Sequence, residues 1–222
     1  MASTTLIPVE PKPVDGGGGS DGNGDKFWGG DSGGDPRDEH REAARARACR
    51  TGVWVGLAAV VMLFASLTSA MVVRKGLSSD WRPTRLPGVL WINTAVLIAS
   101  SLALARAKTW LSALRRERFL RWWYATTGLG VAFIAGQWIA WRDLGTRGIF
   151  LASNPSSSFF YVLTATHGVH LIGGICALFY VVFAMHRHRP LNIAVDVTAI
   201  YWHFMDGLWL YLFVLLIAGG WF

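Results

Sequence analysis

Five long apolar stretches constrain this chain more than any other feature. They run from Thr51 to Val73, Pro87 to Ala105, Trp122 to Trp141, about Phe159 to Met185, and Val197 to Phe222. A helix needs about 20 apolar residues to cross a hydrocarbon layer roughly 30 Å thick. Each stretch therefore reads as a spanning helix, the fifth ending near residue 220. The fourth is interrupted by His167 and His170 and the fifth by His203 and Asp206. Alternating barrel strands of about ten residues are missing, which argues against an outer-membrane barrel. The expected fold is all-α, an integral membrane bundle of five transmembrane helices over residues 51–222.

Charge supports this reading. Only 16% of the 222 residues are charged, against about a quarter in soluble domains. Residues 51–222 hold 14 bases and 5 acids. Such a basic excess suits loops at a membrane surface, so a soluble enzyme and a nucleic-acid binder are excluded and no nucleic-acid partner is expected. With five spans, the amino-terminal segment and the second and fourth loops carry fifteen Lys and Arg, the first and third loops six. By the positive-inside rule the amino terminus is cytoplasmic and the carboxyl terminus outside. Tryptophans 81, 91, 110, 122, 123, 141 and 221 fall near predicted span ends, where an amphipathic ring suits the headgroup layer.

Residues 1–34 contain ten of the 25 glycines. Such a segment buries too little apolar surface to offset its ordering entropy and is expected to be a disordered cytoplasmic tail. It lacks the basic start and apolar run of a secretory signal. Phe27 and Trp28 are its only bulky apolar pair. Residues 35–50 predict a short basic surface helix, with Asp35 as N-cap, Pro36 at the first helical position and arginines in the last turn. Cys49 precedes the first span and Cys176 lies well inside the fourth, so both read as unpaired structural residues.

The polar groups inside the spans need a physical explanation. Gly128, Ala132, Gly136 and Ala140 recur every four residues and predict a ridge on which another helix packs closely. Gln137 beside it needs a hydrogen bond to another helix or to water. His167 and His170, three apart, share a helix face and precede Gly173 and Gly174; His203 and Asp206 share another. Intramembrane ionisable groups are functional candidates by default, and imidazole binds metals and haem. Depth argues against one joint site: at about 1.5 Å per residue, His170 and His203 are expected to differ by about 13 Å. Neither metal-ligand spacing nor a carboxylate–histidine cluster supplies further ligands. These side chains are therefore read as intramembrane polar contacts, with no catalytic, cofactor-binding or metal site on the chain. Asp206, the only carboxylate deep in a span, needs either a proton or a close donor, and His203 is the nearest in sequence.

The segments Tyr201-Trp-His-Phe-Met-Asp-Gly-Leu-Trp-Leu-Tyr-Leu-Phe213 and Ser158-Phe-Phe-Tyr-Val-Leu-Thr-Ala-Thr-His-Gly-Val-His-Leu-Ile-Gly-Gly174 resemble subunit III of the haem-copper terminal oxidases. Leu129–Gln137, and Arg50–Trp54 with Met62–Phe64, are similar to the same family, in its order along the chain. Five spans look like the shorter bacterial form. The resemblance implies a subunit of a cytochrome c oxidase in the bacterial cytoplasmic membrane, without haem or copper of its own. It further implies packing with subunits I and II, structural phospholipid between helices, and support for assembly and proton uptake while subunit I reduces oxygen.

Two positions depart from the family, which commonly has glutamates where this chain has Val60 and Ala140. Proton handling by those carboxylates is not expected here. Within the family, a quinol oxidase subunit III or an accessory subunit of nitric oxide reductase is an alternative. From other classes, the residues leave open a membrane haem electron carrier using His167, His170 or His203, and a transporter with Asp206 as proton-coupling group.

Overall fold

The structure, a computed structural model, describes residues 36–77, 87–113, 115–187 and 192–218. The glycine-rich tail with Phe27 and Trp28, the capping Asp35, and Trp81 and Trp221 lie outside the described residues. Five helices follow one another: α1 Pro36–Leu77, α2 Val89–Ser112, α3 Arg116–Thr146, α4 Pro155–His186 and α5 Asn192–Ala218. No strand occurs among the described residues. A helix satisfies its own backbone N–H and C=O groups, which in lipid have no water to turn to.

Each helix overruns its apolar stretch, because polar residues that are good helix formers continue it beyond the hydrocarbon boundary. The largest correction is at the start. The short helix expected over 35–50 is the first part of one continuous 42-residue α1. Ala43-Ala-Arg-Ala-Arg-Ala48 contains strong helix formers and no breaker, so nothing ends the helix before the membrane. At α4, the Asn154 side chain accepts from the Ser157 N–H at 3.1 Å while the Ser157 hydroxyl accepts from the Asn154 N–H. This capping box, with Pro155 next in line, starts the helix four residues ahead of Phe159. Gly148, at φ 73°, turns the chain ahead of it.

Four helices are long and apolar enough to cross a membrane: Ala43–Leu77 of α1, α2, α4 and α5. The fifth, α3, has the length at 31 residues but a more polar composition. Arg116, Glu117, Arg118 and Arg121 begin it, Arg142 and Asp143 end it, and its centre is rich in indole, glycine and Gln137.

Helices α2, α3, α4 and α5 form a closed ring in which each touches the next and α5 returns to α2; among the described residues α1 leans only on α4 and α5. Asp196 at the start of α5 pairs with Arg50 of α1 at 2.8 Å and Lys108 near the end of α2 at 3.1 Å. At the same end, Arg116 of α3 donates to the Met185 carbonyl of α4. At the opposite end Tyr211 of α5 donates to Thr68 of α1, and Tyr161 of α4 to the Ile149 carbonyl beyond α3. Consecutive helices therefore run antiparallel.

Trp91 and Trp122 are exposed near helix ends, and Trp110 lies under the Arg118 guanidinium at 4.4 Å. Trp123 is the exception to the interfacial expectation: it is fully buried, and its indole N–H donates to the Leu178 carbonyl at 3.1 Å. The cysteines are free, as expected, but both are exposed rather than packed inside.

Candidate functional site

Two tryptophans of α5 organise the interior of the ring. The Trp202 indole donates to the Ser100 hydroxyl of α2 at 3.0 Å. Its ring lies against Gly130 of α3 and Gly174 of α4, so tightly that a β-carbon on Gly130 would stand 2.6 Å from the indole and one on Gly174 3.1 Å. Seven residues on, the Trp209 indole donates to Thr94 of α2 at 3.1 Å. That ring meets Phe133 of α3 edge-on, centroids 4.7 Å apart, and His167 of α4 at 5.2 Å. Each tryptophan thus touches all three other helices of the ring. Both are fully buried.

The four intramembrane titratable residues go to three different places. His167 is fully buried in the ring between Phe133 and Trp209, with neither ring nitrogen hydrogen-bonded to protein. His170 turns to the seam with α1. Its Nδ1–H donates to the Thr166 carbonyl at 2.7 Å, and its ring meets Phe64 of α1 with centroids 6.0 Å apart. The Tyr201 hydroxyl donates to the His170 carbonyl, further joining α4 to α5. His203 and Asp206 face the other way and line a crevice of about 280 Å³ between α5 and α2, with Leu97, Ser101 and Leu102. There His203 Nδ1 lies 2.7 Å from the Ser101 hydroxyl. Asp206 is 6% exposed, and neither carboxylate oxygen makes a hydrogen bond of ordinary geometry. The donor nearest Asp206 in sequence, His203, is bonded to Ser101 instead.

The expected depth difference between His170 and His203 is corrected by the helix register. Gly174 lies against Trp202 and His167 against Trp209, which sets His203 level with Gly173. It then stands three residues, or about 4.5 Å, from His170 along the axis. The sequence expectation began the fifth span at Val197, whereas α5 begins at Asn192, and those five residues raise His203 by about 7.5 Å. Direction, not depth, separates the two: one imidazole faces α1, the other α2. No group of three or more His, Cys, Asp or Glu side chains converges among the described residues.

The predicted ridge is only half realised. Ala140 is buried and Gly136 abuts Asn93 of α2, whose Oδ1 lies 2.0 Å from where a β-carbon would stand. Gly128 and Ala132 are exposed. A step of four residues advances about 40° beyond a full turn, so a strict four-residue ridge drifts off any one face. The buried positions of α3 are Trp123, Thr126, Thr127, Gly130, Phe133, Gln137, Ala140 and Leu144, which keep the helical period. Gln137 is buried, but its amide makes no hydrogen bond to protein. Gly173 is exposed beside the Tyr201 hydroxyl, while Gly174 is buried under Trp202. Val60 and Ala140, the two positions without the family's glutamates, are 8% and 0% exposed.

Sequence reasoning missed Gly130, Asn93, Thr94, Ser100, Trp202 and Trp209. Their only sequence trace is that Ser or Thr and Gly recur at helical spacing on three different helices. Chemically, the arrangement fastens helices to one another through single hydrogen bonds and close aromatic contacts.

Comparison with known proteins agrees with the architecture. A sequence model of the family described as cytochrome c oxidase subunit III matches residues 36–221. Cytochrome c oxidase subunit 3 of Thermostichus vulcanus is 30% identical over 172 residues, covering 74% of this chain and 84% of that protein. The protein of the same name from Synechocystis is 29% identical over 175 residues, covering 74% and 72%. The protein named probable cytochrome c oxidase subunit 3 in Nocardia farcinica is 32% identical over 181 residues, covering 76% and 87%.

Proposed function

This chain belongs to the cytochrome c oxidase subunit III family, and from that premise we propose that it is a helical scaffold subunit, without haem or copper of its own, in a respiratory oxidase of a bacterial cytoplasmic membrane. It packs with subunits I and II, supports their assembly and sustains proton uptake by subunit I. All five helices cross the bilayer, and the amino terminus is cytoplasmic. For α3 the support is its antiparallel place in the ring between α2 and α4. For the orientation it is the concentration of arginine and lysine at the end where Arg50, Lys108 and Arg116 meet Asp196 and Met185.

One observation carries the scaffold reading: the intramembrane histidines and Asp206 point into three separate helix contacts instead of towards one centre. A haem or metal held by this chain alone would need ligands that converge. Bound phospholipid is part of the proposal. A wholly apolar groove of about 410 Å³ between α1 and α5, walled by Val61, Phe64, Phe204, Leu208 and Tyr211, suits an acyl chain.

Purification of the tagged chain from its native membrane tests the reading. It is expected to bring down a haem- and copper-containing subunit I in fixed ratio, with a dicopper subunit II, and native mass spectrometry is expected to find phospholipid. The chain isolated by itself is expected to give no Soret band. Stoichiometric iron or copper on the isolated chain would overturn the scaffold role; a partner set lacking the dicopper subunit would point to a quinol oxidase.

A further inference from the structure

Asp206 lies about halfway along α5 and is buried, yet its carboxylate has no protein hydrogen bond of ordinary geometry. The one hydroxyl sharing its crevice, Ser101, also faces His203 Nδ1 at 2.7 Å. A serine has a single proton to donate, whereas a carboxylate offers about four acceptor sites. The demand at Asp206 is thus unmet within the chain whichever way Ser101 turns.

The surroundings of the crevice are equally unlike a lipid-facing surface. His203 and Gly207 of α5 are exposed there, as are Leu210 of α5 and Ile98 and Leu102 of α2. Polar and ionisable groups in the hydrocarbon layer normally face a bundle interior or a wet cavity, because exposure to lipid costs several kcal/mol. Gly207 meets nothing within 4 Å of its β-carbon position, so a neighbouring backbone has room to approach closely. The mid-helix depth excludes a charged lipid headgroup as the occupant. An acyl chain would leave Asp206 and His203 unsatisfied.

We propose that this α2–α5 face, with Ser101, His203, Asp206 and Gly207, receives a transmembrane helix of the haem-bearing partner subunit, which inserts a hydrogen-bond donor into the crevice towards Asp206. The inference rests on the oxidase reading above and deepens it by naming the surface through which the subunit is held. The donor class is a side chain such as Arg, Lys, Asn or Trp; a partner helix with only aliphatic residues at that depth does not fit.

Photo-crosslinking in the full oxidase tests this. Benzoylphenylalanine in place of Leu210 is expected to form an adduct with the haem-bearing subunit, whereas in place of Val169, exposed on α4, it is expected to form none. Leu102→Trp, which adds bulk only outside the bundle, is expected to lower recovery of the haem-bearing subunit at least tenfold, with Val169→Trp at the wild-type level. Helical content of both variants by circular dichroism is expected to match wild type. Lipid adducts alone at Leu210, in a complex that still contains the haem subunit, would overturn the inference, as would adducts at Val169 and not at Leu210. Absence of any haem-bearing subunit from the wild-type complex would overturn the oxidase reading itself, and the inference with it.

Discussion

The indole of Trp202 occupies the space in which a side chain on Gly130 would begin: the nearest ring carbon is 2.6 Å from the ideal β-carbon position. The ring has little freedom to withdraw, because its N–H is bonded to Ser100 and its other face lies on Gly174. Gly130→Ala is therefore expected to destabilise the folded subunit by about 1–3 kcal/mol through overpacking. Gly128→Ala, two residues away with open space around it, is expected to be neutral. Unfolding in mixed micelles monitored by tryptophan fluorescence measures both, and equal effects would refute the assignment of Gly130 as the packing glycine.

Gly136 makes the second close approach. A methyl there would strike the Asn93 amide, which is 3% exposed and has little room to swing away. Gly136→Leu is expected to disrupt the α2–α3 contact by more than about 1 kcal/mol. Combining Gly136→Ala with Asn93→Ala is expected to recover part of the loss from Gly136→Ala alone. A double-mutant cycle with no coupling would contradict the contact.

The Trp202–Ser100 and Trp209–Thr94 hydrogen bonds join α5 to α2 at two levels. Cycles built from Trp202→Phe with Ser100→Ala, and Trp209→Phe with Thr94→Val, are expected to give coupling energies near 0.6 kcal/mol each, the usual size within membranes. Values near zero for both pairs would show that ring packing alone holds the two helices together.

Asp196 unites α1, α2 and α5 through Arg50 and Lys108, but all three side chains are at least a third exposed. Asp196→Asn is accordingly expected to change stability by no more than about 1 kcal/mol, with the difference shrinking at high salt. Its larger effect is expected to be local. Trypsin applied at this end is expected to cut after Arg47 and Arg50 faster than in wild type, which a time course read by mass spectrometry decides.

Asp206→Asn retains a polar group of the same shape in the α2–α5 crevice. Turnover per haem in the assembled complex is expected to stay near wild type, with yield of the complex reduced. Normal yield together with complete loss of proton pumping would assign Asp206 to proton transfer instead.

How far the sequence could be read depended on the scale of each feature. Apolar runs of twenty residues announce helices because lipid leaves the backbone no alternative. They do not mark where polar helix formers stop, and so α1 extends back to Pro36 and α5 begins at Asn192. That second shift altered a functional argument, since it set His203 nearly level with His170. The ridge at Gly128, Ala132, Gly136 and Ala140 was visible as a spacing, but drift around the helix left Gly128 and Ala132 exposed while Gly130 became the buried contact. Which glycine meets which indole depends on register between helices some seventy residues apart in sequence, and no local pattern encodes it. Partners were equally illegible: proximity in sequence joined His203 to Asp206, whereas Ser101, a hundred residues away, is the group that holds the imidazole.

The central position of Trp202 and Trp209 has a consequence for biogenesis. Both indoles belong to α5, the last described helix to leave the ribosome, and they fill the middle of a ring whose other three members are made first. Until α5 arrives, Gly130, Gly174 and Ser100 have nothing to close upon, so the three earlier helices must wait in the bilayer as loosely associated segments. Synthesis of the final helix is then the step that locks the subunit, and a chain cut short before it would offer its neighbours an open bundle that membrane proteases can recognise.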